Sequence, residues 1–359
     1  MSRKNLETLA FLVPTLRGGG AERVVSRLST YLSRTVPTVV ITWDGRDRAY
    51  DVGCEVIDAA LPAGRTIVAK LVRQHQRKLK IAELCATLGV ARVVSFMESA
   101  SIPLLRAKPL LNPSIHVSVA VRISPSRFGL FQRCQMQNLY PRADSIVLQT
   151  AAGRDEMVNN WGLPADKCRV IPNPLDPQFL GSLPAHSSRI PGLVVAVGRL
   201  EAQKRFGDLI SAFADLPRNQ ASRLVIVGAG SELRGLAEYA RERYVEDRVS
   251  FVGRTSDVIY WLDRCSLFVL SSGFEGFPNA LAEAMARGCA VVSTDCETGP
   301  SEMVEHGVSG LLVPVGDIVA LSGAMRQVLD NLEFGSQLGM AARRTAEKWS
   351  LETVAPLWL

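Results

Sequence analysis

Short runs of aliphatic and β-branched residues recur along the chain, each followed by a longer stretch in which apolar positions return every three or four residues. TLAFLVP leads into GAERVVSRLSTYLSR; TVVIT, ARVVSFM, SIHVSVAV and SIVLQT follow, with RTIVAKLVRQHQRKLKIAELCATLG after TVVIT and AAGRDEMVNNWG after SIVLQT. Nearly continuous apolar strands alternating with amphipathic helices predict mostly parallel sheets covered on both faces.

The alternation breaks once, in the proline- and turn-rich CRVIPNPLDPQFLGSLPAHSSRIPG of residues 168–192, and then restarts. LVVAVGRL, FGDLISAFADL, RLVIVGAG, SELRGLAEYARERY, VSFVG, DVIYWLDR, SLFVLSS, CAVVSTD and GLLVP succeed one another before two further helical patterns. The expected fold class is α/β, with two Rossmann-like doubly wound domains facing across a cleft. The expected boundaries are 1–172 for the first domain, 173–192 for a linker, 193–340 for the second domain and 341–359 for a C-terminal helical segment. Ligands of open α/β sheets bind beyond the carboxyl ends of the strands, so the strand-to-helix junctions are where chemistry is sought.

One such junction is FEGFPNALAEAMARG, after the strand SLFVLSS. Pro278 suits a first helical position, and the free amides of a helix start favour an anion, most naturally a phosphate. Glu275 precedes that helix and Glu283 lies more than a turn inside it, so both could serve one ligand only if it were elongated, as a nucleotide diphosphate sugar is. Taken alone, Glu283 reads equally as an i,i+4 partner of Arg287, and Glu275 as a turn carboxylate. A second junction, VAVGRLEAQKRFGDLI, carries Gly198, then Arg199 and Lys204 ahead of a helix. A guanidinium that binds oxygens bidentately and an ammonium point charge together suit a diphosphate, or form a solvated basic loop. Gly228 and Gly230 follow a third strand. Gly253 and Arg254 end a fourth, where their backbone groups could pair with a nucleobase edge. In the first domain Gly18, Gly19 and Gly20 separate a strand from a helix and would let backbone amides approach a ligand, with Glu22 complementing the helix dipole. GGGAER lacks the third glycine of a dinucleotide fingerprint, which disfavours an NAD site.

Composition narrows the field further. The 359 residues are 47% hydrophobic and 21% charged, ordinary for globular domains. No apolar run reaches the roughly 18 residues of a membrane span, and the N-terminal pattern is not that of a secretory signal, so a cytoplasmic protein is expected. Seven cysteines without a C-x-x-C pair suggest reduced thiols rather than disulfides or zinc. The net charge of +6 is uneven: residues 1–180 hold 24 Lys and Arg against 14 Asp and Glu, and the remainder 17 against 21. A basic first half favours phosphates, nucleic acid or anionic lipid. With aromatics at 6% and no recognition motif, nucleic acid ranks last.

In order along the chain, GGGAERVV, IPNPLD, VGRLEAQKRFGDLI, LVIVGAGSEL, VSFVG, FEGFPNALAEAMARGCAVVSTD and GPSEMVEHGVSGLLVPVGD resemble the successive motifs of glycosyltransferase family 4, retaining enzymes of the two-domain GT-B fold. The resemblance implies that the second domain holds a nucleotide diphosphate sugar, expected to be UDP-linked, with Arg199 and Lys204 on the diphosphate, Glu283 on the ribose and Glu275 on the donor sugar. Glu275 and Glu283 match the family's E-x7-E pair. Around them the turn residues Gly276 and Phe277, the amides of Asn279, Ala280 and Leu281, the loop ending in Gly19 and Gly20, and Gly198, Gly228, Gly253 and Arg254 would complete the donor site. No cofactor or bound metal is implied, since the two cations and a helix start neutralise the leaving diphosphate. Some members carry a histidine beside the donor sugar at the end of a first-domain strand; here Arg122 takes roughly that place and is grouped with Glu275 as catalytic. His116, earlier on the same strand, is expected to be a packed core residue.

Similar enzymes extend polyprenyl-diphosphate-linked glycans of bacterial surface polysaccharides, which implies a glycan or lipid-linked glycan acceptor. Lys70, Arg73, Arg77 and Lys80 fall near one face of their helix by spacing. This suits either an anionic membrane surface at the inner face of the plasma membrane or a solvated face of an ordinary packed helix. A GT-B-fold sugar-nucleotide epimerase and a non-catalytic nucleotide-binding protein remain as alternatives.

Overall fold

A computed structural model describes residues 7–62, 64, 66–184, 189–219 and 223–359. The chain divides into two compact units, residues 1–174 with 351–359, and residues 175–350.

The N-terminal unit is built on a seven-stranded sheet. Its strands are β1 (Thr8–Val13), β2 (Thr38–Thr42), β3 (Glu55–Asp58), β4 (Val90–Phe96), β5 (His116–Ala120), β6 (Ser145–Leu148) and β7 (Cys168–Val170), in the order β3-β2-β1-β4-β5-β6-β7. Every pairing is parallel. Leu9, Ala10, Phe11, Leu12 and Val13 are all buried, as expected of a strand covered on both faces. The helix Gly20–Leu32 packs Val24, Val25, Leu28 and Leu32 against it from one stripe.

The C-terminal unit repeats the design with six strands: β8 (Ile190–Val197), β9 (Arg223–Val227), β10 (Val249–Gly253), β11 (Cys265–Leu270), β12 (Val291–Thr294) and β13 (Leu311–Val313). Their order is β10-β9-β8-β11-β12-β13, again wholly parallel. In both units the order reverses beside the first strand, between β1 and β4 and between β8 and β11. These reversals are the topological switch points of doubly wound sheets.

Four elements were not legible in the alternation: the edge strands β3 and β7, the latter inside the stretch read as its break, the helix Glu98–Ala107, which carries Pro103 in its interior, and the helix Leu130–Leu139. Nor was the course of the C-terminus. The helix Leu332–Ala346 belongs to the C-terminal unit, where Gly339 lets it approach the backbone of Gly288 too closely for any Cβ. Residues 351–359 instead join the N-terminal unit. There Trp358 stacks on Phe96 with centroids 5.2 Å apart, and Leu351, Val354 and Ala355 complete the same core cluster. Among the described residues no helix is long and apolar enough to cross a membrane.

Candidate donor site

The loops that follow β8 and β11 meet at the switch point of the C-terminal unit and are joined by several hydrogen bonds. Gly273 N–H donates to Gln203 O at 2.8 Å, Gln203 Nε2 to Phe274 O at 2.8 Å, and Ser271 Oγ to Lys204 O at 2.7 Å. Lys204 ends a short 3-10 turn, and the next residue, Arg205, turns the chain with a positive φ of 47°. The Lys204 stem lies along Gly198, where a Cβ would stand 3.0 Å from its Cε. Its Nζ reaches Glu275 Oε1 at 2.5 Å, with both side chains largely withdrawn from solvent.

Three further side chains hold Glu275, the weakest contact being from Gln203, whose Nε2 donates to Oε2 at 3.5 Å. Ser272 Oγ donates to its carboxylate at 2.6 Å, and Thr298 Oγ1 donates to its backbone carbonyl. Gly299, at φ 99°, leaves room for the Gly276 carbonyl and the Pro278 ring, both within 3.0 Å of where its Cβ would be. Burial, reinforced by the Glu275 charge, pushes the thiol of neighbouring Cys296 up to about 12. Ser272, Gln203 and Thr298 were not singled out in the sequence; the signal available was their position beside the strand ends.

The helix runs from Asn279 to Ala286, with Pro278 as its cap rather than its first residue, a one-residue difference at a helix start. Pro278 O accepts from Leu281 N–H at 3.0 Å and from Ala282 N–H at 3.1 Å, so the Leu281 amide already serves the first turn. Phe277 turns into the core against Trp349, and the Leu281 side chain is fully buried. Glu283 is buried on this helix, while Arg287 sends its guanidinium to Asp263 at 2.6 and 3.0 Å. Arg199 is exposed just past the end of β8.

The glycines beside these loops have a steric reason. A Cβ on Gly228, at φ 151°, would fall 1.8 Å from Gly198 O, and one on Gly230 would fall 2.2 Å from Leu200 O. Gly228 N–H donates to Gly253 O at 2.9 Å, joining the ends of β9 and β10, and Arg254 is exposed next to that junction.

In the N-terminal unit the glycine loop is already occupied by a side chain of its own helix. Glu22 Oε2 accepts from the amides of Gly18 at 2.6 Å and Gly19 at 2.7 Å, and Thr15 Oγ1 donates to Oε1. The expectation that Gly19 offers its amide to a ligand is therefore corrected: an internal carboxylate holds it, which leaves Gly20 at the helix start.

Arg122 lies two residues beyond β5. Its guanidinium sits 5.0 Å from the Phe96 centroid, and Nη2 donates to Asn173 Oδ1, which also accepts from Gln149 Nε2 at 3.0 Å. His116 is half-buried rather than a core residue. It lines a small pocket with Arg92, Arg169 and Trp358, and burial followed by the Arg92 charge lowers its pKa.

The basic face of the helix Ile67–Thr87 is also revised. Arg77 is buried, donating twice to Leu61 O and standing 4.9 Å from the Trp43 centroid, because its position faces the sheet. The Lys70 side chain lies outside the described residues. Lys80 pairs with Glu83 at 2.7 Å, and Arg73 donates to Gln76. Val68, Leu71, Val72 and Leu79 are exposed on this helix, as are Leu130 and Phe131 at the start of another.

With this geometry in place, the comparisons with known proteins fall into register. Residues 18–179 match the profile described as Glycosyltransferase Family 4, and residues 188–345 match that described as Glycosyl transferases group 1. The chain belongs to the family 4 glycosyltransferases of the GT-B fold, and it is a transferase of sugars. It is 27% identical over 335 residues to the N-acetylgalactosamine-N,N'-diacetylbacillosaminyl-diphospho-undecaprenol 4-alpha-N-acetylgalactosaminyltransferase of Campylobacter jejuni, covering 91% of each chain. It is 33% identical over 189 residues to the lipopolysaccharide 1,6-galactosyltransferase of Salmonella typhimurium, covering 51% of this chain and 52% of that one. Among solved structures, Anabaena Alr3699/HepE in complex with UDP superposes with a TM-score of 0.83 over 98% of each chain. At 19% identity that likeness concerns the fold alone.

Proposed function

We propose that the C-terminal unit binds a UDP-linked sugar and that the enzyme transfers it, with retention of anomeric configuration, to a glycan carried on polyprenyl diphosphate. The observation that carries this reading is the Lys204–Glu275 pair, which puts a cation and a carboxylate in contact at the switch point of the sheet. Lys204 and Arg199 hold the diphosphate, Glu283 the ribose hydroxyls and Glu275 the sugar hydroxyls. Gly276, Phe277 and the Asn279 and Ala280 amides lie along the phosphates. Gly198, Gly228, Gly253 and Arg254 shape the nucleoside side, and Gly20 and Arg122 act from the N-terminal unit.

In the transfer step the bond between the anomeric carbon and the diphosphate oxygen breaks, its electron pair leaving with the diphosphate. The acceptor hydroxyl oxygen forms the new bond on the same face, and its proton passes to the departing phosphate. Arg199 and Lys204 neutralise the charge that develops there, so a metal ion has no required part.

The lipid-linked acceptor is supported by the Campylobacter relative, whose name specifies a diphospho-undecaprenol substrate. Docking at the inner face of the plasma membrane is supported by the exposed Leu71, Val72, Leu130 and Phe131 together with Arg73 and Lys80. The test is a transfer assay with UDP-, GDP- and ADP-sugars and lipid-linked glycans, the product anomer being assigned by NMR. Expected is UDP release that depends on acceptor, with the donor's anomeric configuration in the product. Isomerisation of the sugar nucleotide without acceptor, or UDP binding without any release from UDP-sugar, would overturn the assignment.

A further inference from the structure

Arg122 carries a charge that its own unit does not answer. The residue keeps only 8% of its surface exposed, and its Nε and Nη1 atoms are sealed from water without an acceptor. Among the described residues it takes part in no ion pair, and burial alone draws its pKa down to about 9. What surrounds it is neutral: the Phe96 ring at the end of β4, Gln149 just past β6 and Asn173 past β7. An aromatic face and one amide oxygen offset only part of the desolvation of a guanidinium. A methionine or leucine would fill the same space without that penalty. The group also lies at the carboxyl ends of four adjacent parallel strands, where such sheets bind ligands.

We propose that Arg122 is the anion-binding residue of the N-terminal unit and takes a phosphate group of a substrate, with Asn173 and Gln149 as the positioning residues that hold its guanidinium. The inference rests on the transferase reading above, which supplies two phosphate-bearing substrates, the donor nucleotide and a lipid diphosphate. Nε and Nη1 lie on different edges of the guanidinium plane and Nη2 serves Asn173, so each of the two unsatisfied atoms offers a phosphate oxygen one charge-assisted hydrogen bond.

The experiment compares wild type with Arg122→Met, which keeps length and removes charge. Melting temperature is measured without ligand, and calorimetric affinity for UDP, uridine, farnesyl diphosphate and farnesol. The ligand-free variant is expected to melt higher, and one of the two diphosphates to bind about 10- to 100-fold more weakly, with uridine and farnesol unchanged. Weakening of UDP assigns the phosphate to the donor; weakening of farnesyl diphosphate assigns it to the lipid. Unchanged affinity for both diphosphates, with a lower melting temperature, would make Arg122 a packing residue and overturn the proposal. If Arg122→Met fails to fold, Arg122→Lys carries the test: a point charge in place of the planar, multi-donor guanidinium should still weaken the same probe, and unaltered binding of both would refute the site. Lys204→Ala is run in parallel. If it leaves UDP affinity intact, the donor reading fails on its own, whatever Arg122 does.

Discussion

The ammonium of Lys204 lies 2.5 Å from one carboxylate oxygen of Glu275, although 71 residues separate them in sequence. The two have different tasks in the proposed reaction, one on phosphate and one on sugar, and without donor each satisfies the other. Glu275→Gln should lower kcat by about 100-fold or more, in the range seen when a transition-state contact is lost. UDP affinity should hold or improve, because the substitution releases Lys204 for the diphosphate. Steady-state kinetics and UDP calorimetry check both halves, and a large loss of UDP affinity would move Glu275 off the sugar.

Lys204→Ala should weaken UDP by about 10- to 100-fold and leave uridine nearly unaffected, as expected of a charge-assisted phosphate contact. It also strands a buried carboxylate, for which about 3 kcal/mol of lost stability is expected. Denaturant unfolding reports that second effect independently. Equal weakening of UDP and uridine would place Lys204 elsewhere.

Gly228→Ala sets a new methyl group 1.8 Å from Gly198 O, so the backbones of two strand ends must part. A loss of about 3 kcal/mol or more is expected, together with loss of UDP binding. Gly235 is the control. It lies within the helix Leu233–Glu242 with open space where its Cβ would be, so Gly235→Ala should stabilise by about 0.5–1 kcal/mol. Chemical denaturation of the two variants tests the contrast.

Leu130 and Phe131 are 81% and 79% exposed, side by side at the start of a helix. Replacing both with serine should reduce co-flotation with anionic vesicles several-fold while leaving transfer to a soluble acceptor analogue unchanged. Equal flotation of the variant and wild type would remove these side chains from the membrane surface.

Thiol chemistry offers a check on the cores. Cys134 is exposed, whereas burial pushes the Cys85 thiol up to about 11 and the Cys296 thiol up to about 12. Near pH 8 iodoacetamide should label Cys134 readily and leave Cys85 and Cys296 unmodified until the protein is unfolded, since only the thiolate reacts. Mass spectrometry of native and denatured samples reads this directly.

The doubly wound architecture was legible because period-two and period-3.6 patterns are local: each apolar strand or helix stripe announces its need for a covering layer within its own dozen residues. The motif order pointed to the family for a similar reason, since glycines such as Gly228 and Gly230 are required where backbones approach too closely for a Cβ. Side-chain partnerships are another matter. Spacing placed Arg77 with the exposed cations, yet it turns inward to Leu61 O and the Trp43 ring. Spacing likewise offered the Gly19 amide to a ligand, yet Glu22 accepts its hydrogen bond.

What the sequence by itself determined was the succession of strands and helices, the two repeated sheets and the residue types gathered at their junctions. Only the tertiary structure decided that Lys204 meets Glu275, that residues 351–359 return to the N-terminal unit, and that Arg122 is buried without a counter-charge. The reason is physical: periodicity records which side of an element avoids water, whereas contacts between elements depend on strand order, close backbone approach and desolvation, none of which is a property of neighbouring residues.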